Sequence, residues 1–327
     1  MAVFFSAACG EGTEIVEVVP EGPCTEGTAR CAERVEVWPG RFLPVHTTHG
    51  LDGAHESITT AFVVVHGTNR NGDDYFERAV RAVELEGLER EVVVVAPTFQ
   101  TSDDDPAADE PFWSSGGWKR GHLSSTDGPD PRISSYAALD VLVDRLTDPS
   151  VFPNVDRVVV TGHSAGGQVA HRYAAASGVE GTKPGVTFRY VVANPSTYLY
   201  VGPERWRGST FDLPDGSCPD YDEWHYGLED RNSYASAVPD ATLRARLVDR
   251  DVRILLGTAD TLDSQLDVSC GANLQGRHRL DRGQVLVRFM DDSFPGHRHI
   301  EMLVPGVGHS SSSMYASDVG RDALFTR

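Results

Sequence analysis

Residues 158–170 read VVVTGHSAGGQVA. Three valines and a threonine suit a strand buried on both faces, and the small residues after Ser164 continue with helical spacing. Between the two lies Gly162-His163-Ser164-Ala165-Gly166, with a glycine two residues either side of the serine. A strand that turns at once into a helix drives its central residue toward positive φ, and side chains at the flanking positions would collide; Gly162 and Gly166 remove the clash. The expectation is a nucleophile elbow, with Ser164 projecting above a sheet and the Ala165 N–H pointing into the same space. A serine hydroxyl is a weak nucleophile, so the reading depends on partners elsewhere in the chain.

Outward from this segment, β-branched runs recur at Arg34–Trp38, Ala61–Val65, Val92–Ala96, Arg157–Thr161, Arg189–Ala193, Val252–Leu256 and Ile300–Val304. Helical patterns occupy about 73–90, 135–147, 165–177 and 313–326, the third expected to stop at Gly178. Alternating strands and helices predict one doubly wound α/β domain over 34–327, a mostly parallel central sheet flanked by helices. The rhythm breaks at about 197–247, where Trp206, Tyr221, Trp224, Tyr226 and Tyr234 stand among prolines and glycines. This stretch is expected to be a lid-like insertion over the carboxyl edge of the sheet.

A nucleophilic serine needs a base, and the base needs an orienting acid. VRILLGTAD ends a strand and delivers Asp260, and IEMLVPGVGHS ends the last one and delivers His309. Asp263 and Asp267 share the loop of Asp260 but do not directly follow the strand. His297 and His299 precede the last strand and belong at its opposite end.

On these residues the chain resembles the α/β-hydrolase superfamily from about residue 34 to the end. The resemblance implies Ser164 as nucleophile, Asp260 as orienting acid and His309 as general base. It also implies an oxyanion hole in FVVVHGTNRNGDDYF, residues 62–76, where the Thr68 N–H joins that of Ala165. Asn69 is the alternative to Thr68. His66 and Gly67 are read as structural parts of that loop, whereas Arg70, Asn71 and Tyr75 either brace it or touch substrate. The layout is also similar to polyester depolymerases and to oxidised poly(vinyl alcohol) hydrolase, without a short motif that selects one.

Substrate contacts are expected from Phe99, Trp113 and Trp118 in APTFQTSDDDPAADEPFWSSGGWKRGH, residues 96–122, and from His163 beside the nucleophile. The Asp103–Asp105 run lacks the spacing of a calcium loop and is read as solvated. No metal and no organic cofactor is expected. The predicted function is serine hydrolysis, foremost of carboxylic esters on a small-molecule or polymeric substrate. The alternatives are an amide, a β-diketone carbon–carbon bond, or a non-catalytic binding protein on the same scaffold.

The 327 residues carry 29 basic and 48 acidic side chains, a net charge of −19 that repels phosphate backbones and argues against nucleic-acid binding. Five cysteines lack a zinc pattern. Residues 1–33 are read as a leader and N-terminal extension: MAVFFSAAC is like the tail of a bacterial lipoprotein signal, with Cys9 as the candidate lipidation site. With Cys9 set aside, the simplest pairing joins Cys24 to Cys31 and Cys218 to Cys270, which suits a secreted or surface-anchored protein. Any membrane attachment is expected through lipid alone.

Overall fold

The computed structural model describes residues 22–326, so Cys9 and the leader-like run lie outside the described residues. An antiparallel hairpin of β1 (Ala32–Trp38) and β2 (Arg41–Thr47) opens the fold. It is followed by β3 (Thr60–Val65), α1 (Gly72–Glu86), β4 (Val92–Pro97), α2 (Ser135–Leu146), β5 (Arg157–His163), α3 (Ala165–Ala176) and β6 (Thr187–Ala193). A two-residue ribbon, β7 (Arg205–Trp206) with β8 (Phe211–Asp212), precedes α4 (Asp240–Asp249) and β9 (Asp251–Gly257). The short α5 (Cys270–Asn273), α6 (Arg279–Ser293), β10 (His299–Val304), α7 (Ser311–Ala316) and α8 (Asp318–Phe325) complete the chain. Eight strands form one sheet in the order β1-β2-β4-β3-β5-β6-β9-β10, parallel from β4 onward.

Strands covered on both faces need apolar side chains at every position, which is why β3, β4 and β5 read as unbroken valine-rich runs. Val63, Val65, Val158 and Val160 pack under α2, α3, α4 and α6, while Phe62, Val64 and Val159 pack under α1, α7 and α8. Register then places the site. Val65 is paired with Gly162, His163 with Ala193, and Val304 with Gly257, so the loops after β3, β5, β6, β9 and β10 leave a single edge together.

Several elements differ from expectation. β2 contains Pro44, which supplies no ladder N–H and masks the strand in sequence. Helices α4 and α6 show no clear apolar periodicity in sequence because they are rich in arginine and, in α6, interrupted by Gly283. That glycine lets α6 approach the sheet: a Cβ there would sit 2.5 Å from the Leu256 side chain. The first helix ends at Gly87, whose φ of 67° is the left-handed stop, and the third ends before Ser177, with Gly178 at φ −93°. The expected helix 313–326 is two helices, because Ser317 turns extended and its hydroxyl caps the Gly320 N–H at 2.9 Å.

The expected insertion 197–247 is less separate than its composition suggests. Tyr198, Leu199, Tyr200 and Val201 are fully buried in the main core, and α4 at its far end covers the sheet. Disulfides join Cys24 to Cys31 and Cys218 to Cys270, with Cα atoms 5.6 and 5.8 Å apart. The second ties the insertion to α5, just beyond the loop of Asp260. No helix among the described residues is long and apolar enough to cross a membrane.

Candidate active site

Ser164 stands between β5 and α3 at φ 59°, ψ −116°, a strained conformation held by its N–H donating to the Ala193 carbonyl at 2.9 Å. The flanking glycines are forced by backbone contact. A Cβ on Gly162 would lie 2.2 Å from the carbonyl carbon of Gly166, and one on Gly166 would lie 2.0 Å from the Val65 carbonyl oxygen.

His309 Nε2 lies 3.0 Å from Ser164 Oγ, and His309 Nδ1 lies 2.7 Å from Asp260 Oδ2. An imidazole in this position can accept the serine proton on one nitrogen while the carboxylate fixes the tautomer and faces the charge that develops. Asp260 is 2% exposed, so its ionised form needs compensation within the protein. The Arg279 guanidinium supplies it, 3.6 Å from Asp260 Oδ1 and equally buried. Burial lowers the pKa of Arg279 and Asp260 pulls it back up.

Arg279 also donates to the Ser264 carbonyl at 2.9 Å, so it braces the loop that carries the acid. Composition and spacing do not distinguish Arg279 from the other arginines of α6. Replacing it with methionine should leave Asp260 buried without its counter-charge and cost about 3 kcal/mol of stability. Thermal unfolding would measure this, and an unchanged melting temperature would remove Arg279 from the role.

Asn194 is a second residue that sequence reading misses. Fully buried at φ 42°, it accepts from the Gly257 N–H at 2.9 Å and donates to the Gly308 carbonyl at 3.3 Å. One side chain thereby links the end of β6 to the loops of Asp260 and His309. Its signal in sequence was only its position immediately after a strand. Asp263 and Asp267 lie in the loop of Asp260, but His309 pairs with Asp260; Asp267 instead accepts from the Tyr226 hydroxyl at 2.6 Å. His299 is buried at the start of β10, the end of the strand remote from His309.

Across the site, Thr68 shares a cleft of about 390 Å³ with Ser164 and His309. Among the described residues the Thr68 N–H has no acceptor, and the Ala165 N–H opens α3, where no intrahelical acceptor exists. Arg70 braces this loop by donating to the Thr68 carbonyl at 3.2 Å and by pairing with Asp104. The acidic run is therefore partly engaged rather than wholly solvated. His66 accepts from the Phe99 N–H at Nε2 and donates from Nδ1 to the Gly67 carbonyl, both at 2.9 Å. Burial holds it neutral, its pKa lowered to about 4.

The expected aromatic contacts need correction. Phe99, Trp113 and Trp118 are at most 1% exposed. Phe99 packs against Trp113 with ring centroids 5.4 Å apart, and Trp118 lies 4.6 Å from His66. Their large apolar surfaces are more favourably removed from water in the core than left in a polar cleft. Phe99 and Trp118 lie against His66 of the loop after β3, and all three rings are packed into the core, out of reach of a substrate in the cleft. His163 does border the cleft, its ring centroid 4.4 Å from that of His309 and its Nδ1 3.3 Å from the Tyr75 hydroxyl. Burial and the neighbouring His309 push its pKa well down, so it stands neutral against that ring.

The remaining cleft walls are polar: Asn69, Asn71, Arg78, Gln265 and Ser310–Ser312. Among the described residues there is no cluster of three or more histidine, cysteine or acidic side chains able to hold a metal ion.

Comparison with known proteins agrees with this fold. Among solved structures the chain is similar to poly(aspartic acid) hydrolase-1 from Sphingomonas sp. KT-1, at 25% identity and a TM-score of 0.59 over 86% of this chain and 94% of that one. It is also similar to LpqC, a poly(3-hydroxybutyrate) depolymerase from Bordetella parapertussis, at 22% identity and a TM-score of 0.60 over 87% and 86% of the two chains. A search of curated proteins finds no match. A family model described as the alpha/beta hydrolase family matches residues 62–320, most of the chain including the elbow, the acid loop and the histidine loop, and the protein is therefore a hydrolase belonging to the alpha/beta hydrolase family.

Proposed function

We propose that this hydrolase is a serine carboxylic-ester hydrolase working through an acyl-enzyme. The observation that carries the reading is the continuous line from Ser164 Oγ through His309 to Asp260, with separations of 3.0 and 2.7 Å. Ser164 Oγ attacks the ester carbonyl as His309 Nε2 takes its proton. The oxyanion of the tetrahedral intermediate is held by the N–H groups of Thr68 and Ala165. On collapse His309 returns the proton to the departing alcohol, and water, activated by the same imidazole, then releases the acid and frees Ser164.

The same sequence of steps cleaves an amide when His309 protonates a leaving amine. The likeness to a poly(aspartic acid) hydrolase at 25% identity favours keeping that second reading. The two disulfides favour an exported protein, since such bonds persist in oxidising compartments.

p-Nitrophenyl esters from acetyl to palmitoyl, p-nitroanilides, and a fluorophosphonate probe test the proposal together. Labelling and ester turnover are expected. The polar cleft offers little apolar surface for added methylenes, so short acyl chains should be favoured by about tenfold or more over palmitoyl. Labelling with anilide turnover alone would favour the amidase, and no labelling would return the chain to a binding role.

A further inference from the structure

Asn194, the residue after β6, holds a backbone conformation that is unfavourable for a residue with a side chain. Its φ is 42°, in the left-handed region, and Pro195 follows it. Left-handed backbone brings Cβ close to the following carbonyl oxygen, and a residue before proline is steered toward extended backbone instead. Strain of this kind persists only where the surrounding structure imposes it, and it gathers at functional sites. Glycine takes such a φ without the clash, so the feature to explain is the asparagine side chain. That side chain is fully buried, which a primary amide tolerates only with hydrogen-bond partners.

The amide has two partners, and each stands within three residues of the triad. Oδ1 accepts from the Gly257 N–H at 2.9 Å, three residues before Asp260. Nδ2 donates to the carbonyl of Gly308 at 3.3 Å, the residue before His309. The preceding residue completes the set, because the Ala193 carbonyl accepts from the Ser164 N–H at 2.9 Å. Residues 193 and 194 therefore touch the elbow, the acid loop and the histidine loop together. The Asn194 N–H donates to the Leu255 carbonyl at 3.1 Å, which fixes its own position against β9.

The neighbouring backbones are packed too closely to slide. A Cβ on Gly257 would lie 2.4 Å from the Val307 carbonyl oxygen, and one on Gly167 would lie 2.7 Å from that of Ala193. The acid and histidine loops also bond directly, from the Ala259 N–H to the Val307 carbonyl at 2.9 Å. That bond joins the two loops to each other, whereas the Asn194 amide joins both to the strand end that anchors Ser164. His309 Nε2 meets Ser164 Oγ across this junction at 3.0 Å, and proton transfer between two such groups needs them within about 2.6–3.2 Å.

We propose that Asn194 is a positioning residue for the hydrolysis, its side-chain amide setting where Asp260 and His309 stand relative to each other and to Ser164. This rests on the triad reading of those three residues. The strained φ is what puts the amide between the loops. The task needs an acceptor toward Gly257 and a donor toward Gly308 in one short side chain. Asparagine has both; ionised aspartate, equal in shape and in tolerance of left-handed backbone, lacks the donor.

Asn194→Gly and Asn194→Asp test the proposal. Glycine keeps the backbone conformation and removes the amide, while aspartate keeps the shape and sets a carboxylate oxygen against the Gly308 carbonyl. On p-nitrophenyl acetate each folded variant should lose about 10²-fold in kcat with KM within about twofold of wild type, as expected for displaced reacting groups rather than lost substrate contacts. Circular dichroism and melting temperature report folding separately. A residue that only braced the fold would lower the melting temperature and leave kcat of the folded protein unchanged, and that result would overturn the proposal. Proton NMR of the imidazole N–H between His309 and Asp260 reads the geometry without turnover, and its signal should shift in both variants. Fluorophosphonate labelling of wild type reports on Ser164. If wild type fails to label, the triad reading falls, and the NMR signal still decides the role of Asn194: a shift in the variants supports it, and an unchanged signal overturns it. Failure of both variants to fold would make Asn194 a requirement of the fold and overturn the positioning role.

Discussion

Ser164→Ala is expected to reduce ester turnover by about 10⁶-fold and to abolish fluorophosphonate labelling, while the protein remains folded. In the proposed mechanism the loss is large because the hydroxyl is the atom that would bond to the acyl group, leaving His309 and the proposed oxyanion donors only water to act on. Removing His309 should cost nearly as much, since in the proposed mechanism the three groups would work as one unit and losses within a unit do not add. Asp260→Asn should cost less, about 10⁴-fold, by presenting the wrong hydrogen-bonding partner to His309 Nδ1. Structure should survive in Ser164→Ala, because the strained φ of 59° is held by the Ser164 N–H and the flanking glycines rather than by Oγ. Burst kinetics and labelled-peptide mass spectrometry measure the effect. Undiminished hydrolysis in the variant would remove Ser164 as the nucleophile.

Gly166→Ala tests the elbow as an architectural device. Its new methyl would meet the Val65 carbonyl oxygen at 2.0 Å and the His66 carbonyl oxygen at 2.7 Å, both backbone atoms of β3 and the oxyanion loop. No side chain can rotate away, so α3 and the oxyanion loop must move apart. Overpacking of this severity is expected to cost about 3 kcal/mol and to separate the Thr68 N–H from the Ala165 N–H. The expected result is a clearly lowered melting temperature with activity reduced by about 10²-fold or more even in the folded fraction. A variant with near-normal melting and normal kcat would show that this contact does not set the geometry of the hole.

Local sequence carried the central part of the fold because its signals were local. Four consecutive β-branched residues followed by glycines around a serine permit few conformations, and acid and histidine immediately after late strands are placed by strand direction alone. Hidden elements were those whose reason is tertiary. β2 tolerates Pro44 through its particular pairing, and α6 accepts Gly283 because the Leu256 side chain occupies the space a Cβ would need.

The aromatic residues of the loop after β4 illustrate the same boundary. Composition identified Phe99, Trp113 and Trp118 as large apolar groups near the site, but whether such groups face a ligand or the interior depends on what surrounds them. Here Phe99 and Trp118 pack against His66, Trp113 packs against Phe99, and all three are buried.

By itself the sequence determined the doubly wound sheet, the elbow and the chain order of serine, acid and histidine, because periodicity and glycine placement are properties of neighbouring residues. Tertiary structure alone decided that Arg279 faces Asp260 and that Asn194 links the two loops. Such contacts arise between residues distant in the chain, and only folding brings them within reach.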